Sequence, residues 1–167
     1  MPPPHPRSFF APLLPVFHAA QTALAAYAAQ HSYTAITKLQ IYEKQSEKAA
    51  QYSSSADRQL QKTRKTQAAG AASIAVSLLC STYLVIAAVT EDHRSKQWHT
   101  NLALYVLNIL VPLGVRMYMA DFWEAKAKVP FVHTYNEAID ETKVVWTNLQ
   151  WLGWSWMMIG IFELALG

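Results

Sequence analysis

Polar side chains that could do chemistry lie mostly inside long apolar segments of this chain. Asn101, Tyr105 and Asn108 recur at steps of three and four residues, so a helix would place them on one side. Glu163 lies near the end of the last apolar segment. A carboxyl group buried there would be a candidate general acid, because burial disfavours its charged form. These four residues are the catalytic candidates if the protein is an enzyme.

The last apolar segment also contains candidates for lining a ligand pocket, namely Asn148, Trp151 and Trp154. Aromatic rings stabilise cations through their quadrupole, which would suit an enzyme that cyclises or isomerises an isoprenoid. Tryptophan is also typical of membrane interfaces, and asparagine is typical of hydrogen bonds between membrane helices. The sequence leaves both the catalytic and the structural interpretation of these residues open.

Motifs of the common enzyme classes are absent. The chain has no HExxH, no GxSxG and no glycine-rich phosphate loop, and it contains only five glycines. His133 and Glu137 are spaced four residues apart, but a metal site needs at least a third ligand. Cys80 is the only cysteine, which excludes an internal disulfide bond. We therefore predict neither a metal nor another cofactor.

The distribution of charge predicts the elements that would position these residues. Charged residues make up 15% of the chain, against about 25% in soluble domains, and they collect in blocks between apolar runs. We predict an all-α integral membrane bundle of about four transmembrane helices, with one polar amphipathic helix between the first and the second. The expected segments are a disordered proline-rich tail (1–8), a first transmembrane helix (9–30), a basic polar helix on the cytosolic side (31–67), a second transmembrane helix (68–89), a third (98–118), an amphipathic connector (120–142) and a fourth transmembrane helix (143–167).

Residues 9–30 also fit a secretory signal peptide, with Arg7 before an apolar run and an A-x-A site ending at Ala28. Cleavage there would carry residues 31–67 across the membrane. That segment contains seven lysines and arginines, which the positive-inside rule keeps on the cytosolic side. A retained transmembrane helix is therefore the favoured interpretation, and the cleaved signal peptide is the alternative.

Small residues recur at helical spacing in two of the predicted transmembrane helices, and we expect them to pack against a neighbouring helix. They are Ala69, Ser73, Ser77 and Ser81 in the second helix and Gly153 and Gly160 in the fourth. Just before the second helix, Lys62, Arg64 and Lys65 are expected to lie among lipid headgroups.

The chain has a net charge of +3 and a pI near 9.0. Because most basic residues lie beside a membrane span, this balance indicates contact with an anionic lipid surface rather than with nucleic acid. The expected partners are the lipid bilayer and a membrane protein or a second copy of the chain. Segment 31–67 carries small residues at heptad-like spacing, so it is either a solvated helix or a docking helix for a partner.

Our lead hypothesis is a multi-pass membrane protein that serves as an accessory, scaffold or assembly component of a membrane complex. The alternative is a small integral membrane enzyme acting on an isoprenoid- or lipid-like substrate. The order of an N-terminal span, a basic cytosolic helix and further spans resembles the architecture of small membrane-insertion factors. That likeness implies no role for any residue. The sequence does not specify the organelle, although the endoplasmic reticulum is favoured.

Overall fold

The computed structural model of the chain describes residues 13–50, 54–90 and 98–166. These residues form four helices, and no strand occurs among them. The helices are α1 (Leu13–Ala50), α2 (Ser54–Val89), α3 (Trp98–Trp123) and α4 (His133–Leu166). The all-helical prediction is confirmed. The expected tail at residues 1–8 lies outside the described residues.

Each helix of the bundle runs antiparallel to its two neighbours. α1 packs against α2 and α4, and α3 packs against the same two helices. The hydrogen bonds show the direction of the pairs. Thr22 bonds to Ser81 near one end of the α1–α2 pair, whereas Arg64 bonds to Glu43 near the other end. α1 and α3 face each other across the diagonal and are the pair of helices with the least contact.

Residues 31–67 were predicted to form one polar helix between two transmembrane helices, but they do not form a separate helix. Residues 31–50 complete α1, and residues 54–67 begin α2. Neither proline nor glycine occurs between Pro15 and Gly70, so nothing in α1 ends the helix where its polarity changes. α2 begins at Ser54 in a run of serines, a residue type favoured at helix N-termini. Residues 31–50 and 54–67 are called the hairpin below.

The expected connector at residues 120–142 also divides between two helices. Residues 120–123 complete α3, residues 133–142 begin α4, and the loop between them spans 124–132. The side chain of Asn136 fixes this loop by bonding both the N–H and the C=O of Val129, at 2.8 Å each. Phe131 has a φ of 67°, a left-handed conformation that is rare for a bulky residue.

The core consists of two apolar clusters at different levels of the bundle. The larger cluster lies beside the loop 124–132 and contains Leu39, Ile74, Met119, Trp123 and Leu149, among others. The smaller cluster lies toward the other end and surrounds the buried ring of Trp156. Two of the described helical stretches are long and apolar enough to cross a membrane by length and composition, Asp57–Val89 and Leu102–Trp123.

Candidate functional site

A buried network of polar side chains joins α1, α3 and α4 beside Trp156. The hydroxyl oxygen of Tyr105 lies 3.1 Å from Nε2 of His18, and the Tyr105 side chain is also hydrogen-bonded to Glu163. His18 and Tyr105 are each 3% exposed. Their rings lie 5.8 and 5.6 Å from the ring of Trp156, measured between centroids. Three helices are thus connected through one tyrosine hydroxyl.

Hydrogen bonds on the other side of His18 define which ring nitrogen carries a proton. The Ser155 hydroxyl donates to the carbonyl oxygen of Leu152, so its oxygen is left to accept from Nε2 of Gln21 at 3.4 Å. This orients the Gln21 amide with Oε1 toward Nδ1 of His18, at 3.1 Å. Since an amide oxygen only accepts, Nδ1 of His18 must be the protonated nitrogen.

The Tyr105 hydroxyl is therefore the shared partner of His18 on α1 and of Glu163 on α4. Each of these contacts joins two helices, so the network can hold the three helices in one arrangement.

An apolar groove of about 450 Å³ runs along the outer surface between α1 and α4, close to this network. Phe17, Met158 and Phe162 supply much of its wall, and Gln21 and Ser155 are the polar residues that line it. His18, Tyr105 and Glu163 do not line the groove. The network therefore meets this groove through the Gln21 amide and the Ser155 hydroxyl that accepts from it.

The structure separates the catalytic candidates suggested by the sequence into two groups. Tyr105 and Glu163 are in contact, as described above. Asn108 instead accepts a hydrogen bond from Ser77 at 2.9 Å and donates to the carbonyl oxygen of Leu104, also at 2.9 Å. The side chain of Asn101 lies outside the described residues.

The ligand-lining candidates on α4 do not converge on a pocket. Asn148 is buried and donates to the carbonyl oxygen of Val144 in its own helix, at 2.9 Å. Trp151 and Trp154 lie on the outer surface, with 62% and 46% of their area exposed. Trp156, on the opposite face of α4, is the tryptophan that borders the polar network.

The sequence-based site set omits two members of the network, His18 and Gln21. Both are polar residues in an otherwise uncharged stretch, and their spacing of three residues places them on one face of a helix. That spacing is the signal that could have identified them. Nothing in the sequence of α1 indicates that they would face Tyr105.

The small residues of α2 and α4 lie at helix contacts. Ser73, Ser77 and Ser81 are buried, and Ala69 is half-buried. A Cβ atom built on Gly153 would lie 2.6 Å from Cγ of Leu113 on α3. A Cβ atom built on Gly160 would meet Tyr105 at an ordinary 3.6 Å. Gly153 therefore marks the closest approach of α3 and α4 among these positions.

The hairpin carries a second groove, which has a volume of about 380 Å³ and a mixed polar and apolar lining. Ile36, Gln40 and Lys44 of α1 line it, together with Thr63 and Ala68 of α2.

The basic residues next to this groove have different surroundings. Arg64 donates from Nε to Oε2 of the nearly buried Glu43 at 2.9 Å, whereas Lys62 and Lys65 are exposed. Of the three headgroup candidates, Arg64 thus has a carboxylate partner within the hairpin.

Within residues 13–50, 54–90 and 98–166 there is no group of three or more His, Cys, Asp or Glu side chains that could hold a metal ion. Comparisons with protein-family profiles, with curated proteins and with solved structures find no match to this chain.

Proposed function

We propose that the chain is a multi-pass membrane protein that serves as an accessory or assembly component of a membrane complex. In this proposal all four helices cross the bilayer, and the hairpin lies in the aqueous phase and docks a partner. The observation that carries the membrane placement is an inverted distribution of polarity, with polar side chains inside one half of the bundle and apolar side chains outside.

The inverted distribution involves every helix. Apolar side chains that are more than half exposed occur on all four: Val16, Leu79, Ile86, Leu110, Met117, Met158, Ile161 and Leu164. Polar side chains are buried at the same levels: His18, Gln21, Ser73, Ser77, Ser81, Asn108 and Asn148. A soluble monomer rarely exposes so extensive an apolar surface, whereas lipid would cover it at no cost.

The position of the basic residues supports the same placement. The hairpin and the loop 124–132 lie at one end of the bundle, called the basic end, which carries Lys38, Lys44, Lys62, Lys65 and Lys126, among others. In the described residues, the stretches 13–37, 68–90, 98–115 and 144–166 contain no lysine or arginine. Basic residues concentrated on one side are typical of the cytosolic face of a membrane protein.

The hairpin supports a docking role because α1 continues past the level at which α4 begins. Tyr42 packs against Tyr135 near the start of α4, with ring centroids 4.7 Å apart. The eight residues from Glu43 to Ala50 continue α1 for roughly 12 Å past that level, at 1.5 Å per residue. A pair of helices that projects from the membrane and carries an open groove offers a partner a surface without disturbing the spans.

Photo-crosslinking in native membranes tests this proposal. We expect a photoreactive residue at Gln40, in the hairpin groove, to capture one protein at a fixed ratio. The same residue at the lipid-facing position Leu79 should yield lipid adducts and no such protein. Lys44→Glu, a change at the rim of the groove, should weaken the Gln40 adduct. The absence of a protein adduct at Gln40, or the same adducts at both positions, would contradict the docking role.

A second candidate function is a small membrane enzyme that acts on a lipophilic substrate. The specific observation in its favour is the hydrogen-bonded path from Gln21, at the apolar groove, through His18 and Tyr105 to Glu163. In this candidate the Gln21 amide binds a polar group of a substrate lying in the groove, and the residues behind it fix the orientation of that amide.

A matched pair of variants distinguishes this candidate from the docking role. Glu163→Gln replaces the carboxyl group but conserves size, whereas Trp151→Leu alters only the outer surface. The enzyme candidate predicts that Glu163→Gln alone abolishes turnover of the bound lipophile while the protein stays folded and abundant. Loss of partner binding in Lys44→Glu, with Glu163→Gln behaving as the parent protein, would instead support docking.

A further inference from the structure

A polar pocket of about 370 Å³ opens between α2 and the end of α3, on the outer surface of the basic end. Gln59 and Lys62 line it from α2. Tyr118, Asp121 and Phe122 line it from α3, and Lys126 lines it from the following loop. The pocket thus combines two cationic side chains with an aromatic wall.

Contacts within the pocket fix the position of Lys126. Its Nζ donates to Oε1 of Gln59 at 2.6 Å and lies 4.5 Å from the centre of the Phe122 ring. The pKa of Lys126 is lowered, first by burial and then by the positive charge of Lys62. The two lysines are therefore close enough to repel each other, and one of them is held in place by neutral contacts.

Neither Lys62 nor Lys126 forms an ion pair with a carboxylate in the described part of the chain. The ion pairs at the basic end join Lys38 to Glu137, Arg64 to Glu43 and Lys128 to Asp140. Asp121 is the one acidic residue lining the pocket, and it forms no ion pair with Lys62 or Lys126 among the described residues. An anion between the two lysines would relieve their repulsion.

The pocket lies at the level of the lipid headgroups if α2 and α3 cross the membrane. The apolar run of α2 begins at Ala68, six residues after Lys62, or about 9 Å along the helix. The headgroup layer occupies roughly 5–8 Å on each side of the hydrocarbon core, within reach of a lysine side chain. Tyr118 lines the pocket and is 46% exposed, and aromatic residues are typical of this layer.

We propose that this pocket binds the phosphate headgroup of an anionic membrane lipid between Lys62 and Lys126. The proposal rests on the proposed membrane placement, because a bilayer lipid reaches the pocket only if α2 and α3 cross the membrane. A lipid fits better than free phosphate because the aromatic wall of Tyr118 and Phe122 leads to the exposed apolar surface of α3 at Met117. The acyl chains would follow that surface.

Lipid binding by the full-length protein in nanodiscs tests the proposal. The nanodiscs consist of phosphatidylcholine alone or with a minor fraction of phosphatidylserine, and native mass spectrometry counts the lipids retained. We expect Lys62→Gln and Lys126→Gln each to weaken phosphatidylserine retention roughly five-fold, the equivalent of about 1 kcal/mol per basic residue. Lys65→Gln is the matched control, because Lys65 is exposed on α2 but does not line the pocket.

Asp121→Asn tests the same pocket, because it should change phosphatidylserine retention in the direction opposite to the lysine variants. Removing its acidic side chain should strengthen phosphatidylserine retention, a gain that damage to the fold cannot produce. Equal losses in all three lysine variants would overturn the pocket in favour of diffuse surface charge. Displacement of the lipid by inorganic phosphate at similar concentration would overturn the choice of a lipid.

Failure of the membrane placement gives a different result. In that case the protein would not enter nanodiscs of either composition. A protein that enters both kinds of nanodisc and shows no preference for phosphatidylserine refutes the lipid site alone.

Discussion

The hydroxyl oxygen of Tyr105 lies 3.1 Å from Nε2 of His18, which connects α3 to α1 across the diagonal of the bundle. These two helices share less contact than any other pair. In a bilayer, lipid chains are as apolar as leucine, so specific polar contacts and close packing must select the arrangement of the helices. The interior of this bundle provides both, through the Tyr105 network and the small residues of α2 and α4.

Tyr105→Phe should destabilise the bundle by about 1–2 kcal/mol, because it leaves buried polar atoms of His18 and Glu163 without their shared partner. Unfolding by SDS in mixed micelles measures the change. Tyr33→Phe provides the control, since Tyr33 is 73% exposed on α1. Equal stability of both variants would show that the network contributes nothing.

Gly153→Ala should lower the free energy of unfolding by about 1–3 kcal/mol, because the added methyl group would overlap Leu113 on α3. Gly114→Ala should be tolerated, since a Cβ atom there meets nothing within 4 Å. In a protein that already carries Leu113→Ala, Gly153→Ala should lower the free energy of unfolding by less than it does in the parent protein. Non-additivity in the same SDS assay is the evidence, and strict additivity would contradict the proposed contact.

Reversing the charge of Glu43 or Arg64 alone should lower the free energy of opening the hairpin by about 1–2 kcal/mol. This value lies between those of exposed and of buried ion pairs, because the Glu43 side chain is 8% exposed and the Arg64 side chain is 54% exposed. Hydrogen exchange of the hairpin amides measures the effect. The double variant Glu43→Arg with Arg64→Glu should restore protection, and faster exchange than in either single variant would refute the pairing.

Lys62→Gln should raise the pKa of Lys126, because it removes the positive charge that contributes to lowering it. The pKa should remain below its usual value, since burial is the larger cause. NMR titration of ¹³C-labelled lysine side chains follows this change. Lys65→Gln serves as the comparison and should leave the titration of Lys126 unaltered. An unchanged pKa in Lys62→Gln would mean that the two lysines do not face each other.

Composition and periodicity predict much of the fold. The apolar run at residues 68–89 ends with α2 at Val89, and the expected span at 98–118 begins with α3 at Trp98. The continuous helix across the polar boundary in α1 was not predicted. Hydropathy changes there, but helix continuity depends on the absence of proline and glycine, which is a separate property of the sequence.

The candidate site was predicted only in part, because contacts between helices depend on their relative rotation. Periodicity placed Tyr105 and Asn108 on one side of α3, yet they face different helices, with Tyr105 toward His18 and Asn108 toward Ser77. Likewise, the tryptophans of α4 cluster in sequence, but Trp154 lies outside and Trp156 inside. No property of a single helix specifies such choices.

In the proposed placement, the apolar outer surface of the bundle faces lipid, while the hairpin and the end of α2 face water on opposite sides of the membrane. Labelling of single cysteines with a membrane-impermeant maleimide tests it in sealed vesicles that carry Cys80→Ala. We predict that Gln61→Cys is labelled from one side only, Thr90→Cys from the other side only, and Leu79→Cys and Leu110→Cys from neither. Ready labelling at Leu79 and Leu110, or labelling of positions 61 and 90 from the same side, would contradict the proposed membrane placement.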